Sequence, residues 1–394
     1  MQKLKLIDVT RLIFRLLKGK RPTGVDRVSL AYLEHYRHHA LAVLSWNKRV
    51  VVLGAERSSE VFERLLTDSP QQVSHYYWWR LLARLIFSKV DRRFKDHFLF
   101  NTGHKGLESL SHAQTLKKMG VHPIYFVHDL IPLTHPEYCR PDEQLKHGQR
   151  MIRILNDAHG LMVNSQYTKD EMYLWAQRMH IDCPPTEVAW LASKFHSSHA
   201  SNLQLHSDAP KPYFVMLSTI EPRKNHLLLL HVWRKMVEIY GQDQVPKLIL
   251  VGQRGWECEQ VIDLLERCES LHGVVTEKNH CTDEELHTLL SDACAVLFPS
   301  FIEGFGMPLV EALSSGVPVI ASDIAVFREI GQGVPEFADE NDGPTWMRLI
   351  INYSEHDSPL RRAQMERLKG YRPWMWEDHF RVVDQFLESL VHES

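Results

Sequence analysis

The sequence has no pair of cysteines at C-x-x-C spacing: Cys139, Cys183, Cys258, Cys268, Cys281 and Cys294 are scattered along it. That pattern argues against a structural zinc site and a disulfide framework, and the thiols are expected to pack as small hydrophobes. No apolar run approaches the roughly 20 residues of a membrane-spanning helix. The opening MQKLKLIDV runs straight into a strand-like pattern without a signal-peptide core, which sets the expectation of a cytoplasmic protein. No G-x-G-x-x-G turn follows that strand, which disfavours a dinucleotide oxidoreductase, and no D-x-D pair is present to hold a divalent ion. Histidine is abundant, with 24 residues, but pairs such as His38 with His39, or His196 with His199, lack a carboxylate at ligand spacing and read as surface groups.

What is present fits an α/β protein of ordinary composition whose 394 residues suffice for about two domains. The net charge of −3 is unevenly spread: residues 1–100 hold 19 Lys and Arg against 9 Asp and Glu, while the remainder holds 27 against 40. A basic first quarter suggests an anionic partner there, a lipid phosphate or membrane surface, because no nucleic-acid motif accompanies the charge.

The most informative stretch is Pro299 to Ile330, PSFIEGFGMPLVEALSSGVPVIASDIAVFREI. Glu303 precedes the turn Gly304-Phe305-Gly306, Pro308 suits the first turn of a helix, and Glu311 follows inside that helix. Glycines allow close backbone approach to a ligand, and the first N–H groups of a helix lack intrahelical partners, so phosphate or hydroxyl oxygens can sit here. A plain helix start, with a first-turn carboxylate favoured by the macrodipole, would account for Glu311 alone. The Glu-x7-Glu spacing around a GFGxP turn resembles the family-4 retaining glycosyltransferases of GT-B fold. The resemblance implies that Glu303 touches donor-sugar hydroxyls, that Glu311 holds the nucleotide ribose, and that Phe305, Gly306 and Met307 contact the sugar and diphosphate.

Along the first half, short apolar strands are expected at Leu4–Val9, Leu41–Trp46, Val50–Leu53, Phe98–Asn101, His122–Val127 and Leu161–Val163, alternating with helical periods, as in a parallel sheet covered by helices. A loop after the first strand is expected to end in Pro22-Thr23-Gly24-Val25-Asp26-Arg27 ahead of a helical segment reaching about His38, and the resemblance places the backbone near Gly24 against the donor phosphates and acceptor. Ligands in such folds sit beyond the carboxyl ends of strands. His128 occupies such a place, and the family's His-Asp step implies that it approaches the donor sugar, although a strand-end cap with Asp129 bonded to loop amides is the plainer reading. Asn101–Lys105 and Asn164-Ser165 close two other strands, as acceptor-cleft residues or equally as turn residues and a helix cap. In Tyr76–Lys95, Trp79, Leu82, Ala83, Ile86 and Val90 share one helical face and Arg80, Arg84, Asp91 and Lys95 another, which suits either an anionic membrane surface or the buried side of an ordinary helix.

The polar stretch Ala192 to Pro212 marks a connection. A second α/β repeat starts at Tyr213, with Thr219-Ile220-Glu221-Pro222-Arg223-Lys224-Asn225 at the end of its first strand and a helix from Leu227 to Tyr240. An Arg fork and a Lys point charge there can neutralise a departing diphosphate, and the resemblance carries both residues, in a form found in bacterial polysaccharide mannosyl- and rhamnosyltransferases. Later strands are expected at Lys247–Val251, Ala295–Phe298 and from Val319. Ser322, Asp323 and Glu329 are open between site and loop-capping roles. EKNHCTDEEL departs from the family's Gly-aromatic step and leaves the base contacts open.

The expected architecture is therefore GT-B: two doubly wound Rossmann-like domains facing a cleft, residues 1–195 and 196–372, with 373–394 crossing back as a helix onto the first. The expected activity is retaining, metal-independent transfer of a hexose, mannose or rhamnose, from a nucleotide-diphosphate sugar to a glycan or lipid-linked acceptor in O-antigen, capsule or exopolysaccharide synthesis. No cofactor and no nucleic acid are expected, and the place of action is the cytoplasm at the inner membrane face. A sugar-nucleotide epimerase and an inert glycan-binding module are the alternatives. The inert module is disfavoured because Arg223, Lys224, Glu303 and Glu311 are all present.

Overall fold

The computed structural model describes residues 4–20, 22–46, 48–67, 74–87, 90–104, 106–107, 109–193 and 212–392. The chain divides into two compact units, Met1–Leu191 with Trp376–Ser394, and Ala192–Met375. Most of the connection expected over Ala192–Pro212 lies outside the described residues.

The first unit is built on seven strands: β1 (Lys5–Asp8), β2 (Ala40–Trp46), β3 (Arg49–Val52), β4 (Phe98–Asn101), β5 (His122–Val127), β6 (Gly160–Val163) and β7 (Thr186–Val188). They lie in the order β3-β2-β1-β4-β5-β6-β7. Neighbours pair in parallel except β2 and β3, which are antiparallel. The expectation of a wholly parallel sheet fails there because only Asn47 and Lys48 separate the two strands, too few for a crossover. The chain leaves β1 towards one edge and returns at β4 on its other side, so the strand order reverses between β1 and β4.

Two expectations for this unit need correction. The stretch after β1 is not a loop but a helix, Thr10–Leu17, whose Leu12 and Ile13 are buried. Gly24 therefore opens a helix, Gly24–Tyr36, that follows another helix and not the strand end. The two helices are joined through Asp26, 1% exposed, which pairs with Arg11 at 2.8 Å and Arg15 at 2.6 Å. The second correction concerns Tyr76–Lys95. An α-helix covers only His75–Leu82 and passes into a 3-10 turn, Ala83–Phe87. The buried set is Trp78, Leu81, Leu82 and Leu85, at i, i+3, i+4 and i+7 on one helical face, whereas Trp79, Ala83 and Val90 are exposed. The side chain of Ile86 and all of Lys89 lie outside the described residues.

The terminal helix, Trp376–His392, belongs to this unit. Phe380, Val383, Phe386, Leu387 and Leu390 are buried along it. His379 ties it down: Nδ1 donates to the Trp190 carbonyl at 2.9 Å, and Nε2 lies 3.1 Å from the Tyr32 hydroxyl. Gly160 at the start of β6 makes room, since a Cβ there would fall 2.8 Å from Leu390 Cδ1.

The second unit has six strands: β8 (Tyr213–Leu217), β9 (Lys247–Val251), β10 (Val275–Lys278), β11 (Val296–Phe298), β12 (Val319–Ser322) and β13 (Glu336–Ala338). The sheet is parallel throughout in the order β10-β9-β8-β11-β12-β13, which reverses between β8 and β11. Phe214, Trp233, Trp346 and Tyr353 fill its core. The indoles stay satisfied, Trp233 donating to the Pro246 carbonyl and Trp346 to that of Asp339, at 2.8 and 2.9 Å. The apolar pattern does not reveal β7, β10 and β13. β7 and β13 are three residues long, and β10, at the sheet edge, alternates half-buried with exposed positions.

Candidate functional site

In the second unit the loops after β8 and β11 are neighbours because their strands are, and this is the crevice that an open α/β sheet offers to a ligand. After β8 the backbone packs tightly: a Cβ on Gly252, at the end of β9, would fall 1.9 Å from the Ser218 carbonyl oxygen. The chain then makes a 3-10 turn, Pro222–Lys224, ended by Asn225 at φ 58° in the left-handed region. Asn225 Nδ2 donates to the Glu340 carbonyl at 2.8 Å, which fixes the turn against the β13 loop.

The turn presents Arg223 and Lys224 to the loop after β11. Arg223 Nη1 donates to Glu303 Oε2 at 2.6 Å and to the Ile302 carbonyl at 2.9 Å, and Nη2 donates to Glu221 Oε1 at 2.8 Å. Its own carbonyl accepts from the Phe301 N–H at 3.0 Å. Lys224 Nζ donates to Glu303 Oε1, which also accepts from Ser300 Oγ at 2.8 Å. Glu303, 7% exposed, thus receives two cations and a hydroxyl. Burial alone would raise its carboxyl, but the Arg223 and Lys224 charges and hydrogen bonds outweigh that and hold it at about 2. Burial, and then the Arg223 charge, lower Lys224 against the pull of Glu303. Behind them burial and the Lys224 charge keep His226 at about 3, and therefore neutral.

Past Glu303, Gly306 stands at φ 99° as the cap of helix Met307–Ser314, with Pro308 in its first turn. A Cβ there would meet Phe327 Cε1 at 2.7 Å, so both backbone and space call for glycine. Phe305 is buried and Met307 half-buried. Glu311 lies in the second turn, not the first, and is 3% exposed, so a simple macrodipole partner is ruled out for it. Asp323 forms an exposed pair with Arg328 at 2.6 Å. Sequence reasoning missed Glu221 and Ser300. Their signal was proximity, two residues before Arg223 and three before Glu303.

The remaining predicted residues are in the first unit. His128, 7% exposed, directly follows β5, and its Nε2 donates to the Thr102 carbonyl at 2.8 Å. Asn164 is a fastener, donating to the His128 carbonyl at 2.8 Å. Ser165 caps helix Gln166–Arg178 through the Thr168 N–H at 3.0 Å. Asp129 accepts from the Ile131 N–H at 3.2 Å, and Asn101 from the Gly103 and His104 N–H groups at 3.2 and 3.0 Å. Gly24 is exposed, and Lys105 lies outside the described residues. Among the described residues no three His, Cys, Asp or Glu side chains form a group able to hold a metal ion.

The family described as "Glycosyl transferases group 1" matches residues 201–334, which include the Arg223–Glu303 cluster and the Gly306 turn. The O-antigen chain mannosyltransferase RfbU of Salmonella typhimurium (strain LT2) is 30% identical over 350 residues, 87% of this chain and 91% of RfbU. The chain belongs to the group 1 glycosyl transferases. O-antigen chain mannosyltransferase B of Escherichia coli is 29% identical over 255 residues, 64% of this chain. That match spans 66% of mannosyltransferase B, and the chain spans 29% of the E. coli mannosyltransferase WbdA. Among solved structures, Anabaena Alr3699/HepE in complex with UDP superposes with a TM-score of 0.62 at 15% identity, covering 99% of this chain and 100% of that one. The glycosyltransferase fold is thus GT-B, with two Rossmann-like bodies.

The Glu303 cluster gives this protein a pH signature. Because folding depresses the carboxyl from 4.5 to about 2, its stabilisation is complete above about 4.5 and disappears as pH falls through about 2. Glu303→Gln should therefore unfold at lower urea than wild type at neutral pH, and the gap should close as the solution is acidified below 4.5. Urea midpoints measured across that range check this, and a gap constant with pH contradicts it.

Proposed function

We propose that this protein transfers mannose, with retention of anomeric configuration, from a nucleoside-diphosphate mannose to a lipid-linked glycan in O-antigen synthesis. The observation that carries the reading is the Arg223–Lys224 pair on Glu303 at the point where the second sheet reverses its strand order. The kinship with O-antigen mannosyltransferases supports mannose over rhamnose. In this reading Arg223 and Lys224 receive the diphosphate, whose negative charge grows as the bond to the sugar breaks, and both cations are already oriented when it arrives. Glu303 holds them and turns its remaining lone pair to a sugar hydroxyl. Glu311 serves the ribose, and the Phe305–Met307 turn the diphosphate, with the backbone N–H groups of the helix start facing the anion. In this reading His128 is a contact of the donor sugar. The cations perform the leaving-group stabilisation that a divalent ion supplies elsewhere, so turnover is expected to persist in strong chelator.

The test is a panel of GDP-, UDP- and dTDP-sugars supplied with a lipid-linked acceptor, the product's anomeric configuration being read by NMR. A mannose donor should be used with retention, and Lys224→Ala should lose roughly 10²–10³-fold in kcat, about 3–4 kcal/mol. An inverted product sinks the retaining assignment, and unchanged kcat in a folded Lys224→Ala sinks the leaving-group role.

The lipid-linked acceptor has a counterpart on the first unit. Tyr76 and Trp79 are 76% and 57% exposed, and Arg80, Arg84, Arg92 and Arg93 of the same stretch are exposed as well. Amphipathic rings among arginines suit the interface of an anionic membrane, where each basic residue adds about 1 kcal/mol. No helix among the described residues is long and apolar enough to cross a bilayer. The wild type should float with anionic vesicles at low salt, and exchanging those four arginines for glutamate should abolish flotation. A wild type that stays at the bottom of the gradient removes the membrane contact.

A further inference from the structure

At the paired ends of β4 and β5 two histidines each hydrogen-bond a backbone carbonyl on the other's side. His128 Nε2 donates to the Thr102 carbonyl at 2.8 Å, and His104 Nε2 donates to the Phe126 carbonyl. Each ring therefore reaches the carbonyl two residues ahead of the other ring, and the rings lie 5.3 Å apart between centroids. The arrangement carries a conformational cost. His104 stands at φ 55°, a left-handed conformation that glycine would adopt freely, held by the Asn101 side chain.

A third imidazole extends the cluster. His147, on helix Glu143–Asp157, lies 6.5 Å from the His104 ring. Its Nε2 donates to the Asp129 carbonyl at 3.2 Å, and its Nδ1 accepts from Arg150 Nη1 at 3.2 Å. With Asn164 on the His128 carbonyl, the carbonyls of residues 126, 128 and 129 each accept a side-chain donor.

We infer that His104 is a positioning residue for His128: the reciprocal latch fixes the loop after β5 and holds the His128 ring in the Nε2–H tautomer, with Nδ1 as the acceptor offered to a substrate hydroxyl. The inference rests on the reading of His128 as a donor-sugar contact. The latch needs neutral rings, since protonation would set like charges side by side in a buried place. Burial lowers His104 far below the usual histidine range, and the neighbouring His128, His147 and Arg150 lower it further. Burial also lowers His128, against the Thr102 bond and Asp129 and with Arg11, while Asp26 opposes it. His147 follows the same order, burial first, with Asp129 and Glu143 opposing and Arg150 assisting.

His104→Phe keeps a ring and removes the donor, whereas His104→Gln places an amide N–H near the position of Nε2. His104→Phe should lower kcat between roughly tenfold and a hundredfold with nucleoside-diphosphate affinity unchanged, and His104→Gln should recover most of it. In a His128→Ala background His104→Phe should cause no further loss, a coupling that a merely structural role would not produce. A full second loss, or wild-type kcat in His104→Phe while His128→Ala is impaired, overturns the latch alone. Wild-type kcat in His128→Ala instead removes the site role of His128, and the positioning role with it. Should His104→Phe not fold, imidazole nitrogen NMR of the wild type decides. Both rings should remain neutral Nε2–H tautomers from about pH 8 to about pH 5.5, and titration of either near 6.5 overturns the latch.

Discussion

A carboxylate removed from water must be paid for by partners, and the second unit is arranged around one such group. Glu303 is almost wholly buried and is kept ionised by Arg223, Lys224 and Ser300. Those partners come from two segments far apart in the chain, and they meet only because β8 and β11 are adjacent strands. The parallel winding that separates them by two further β-α units also brings their carboxyl ends together. The glycine cap at Gly306 and the left-handed Asn225 then set the directions in which the two loops leave. Removing one partner would strand opposite charges in a dry place, so the cluster is at once a structural requirement of this crevice and a set of oriented charges.

The first unit uses the same strand-order reversal with different chemistry. Asp26 draws two arginines between the first helices, while the loops after β4 and β5 are held by imidazoles bonded to carbonyls. An ionic cluster keeps its cations oriented for a further anion, which suits a diphosphate. A neutral latch holds a loop in place over a wide pH range, which suits the orientation of a single ring.

The features legible from sequence are those that depend on local pattern. The buried strands of both sheets show as short apolar runs, and the Gly-Phe-Gly-Met-Pro turn announces its helix because glycine conformation and proline placement are local constraints. Arg223, Lys224 and Glu303 were recognisable from motif and order, but their mutual hydrogen bonding is a three-dimensional fact. Helix Thr10–Leu17 escaped notice because it is short and its charged residues are neutralised by Asp26, far along the chain. The buried face of His75–Leu82 escaped for another reason: two apolar sets one residue apart, starting at Trp78 and at Trp79, both fit the helical period, and the period alone does not say which faces the core. His104 fell within Asn101–Lys105, a stretch open between cleft and turn roles, but its bond to the Phe126 carbonyl was not legible because that carbonyl lies in another strand.

The central claim is that Arg223 and Lys224, held by Glu303, form the seat of the donor diphosphate. A crystal structure with a nucleoside diphosphate bound tests it most directly. The account predicts diphosphate oxygens within hydrogen-bonding distance of both the Arg223 guanidinium and the Lys224 ammonium, beside the Gly306 turn. A diphosphate bound elsewhere, with neither cation in contact, would contradict it.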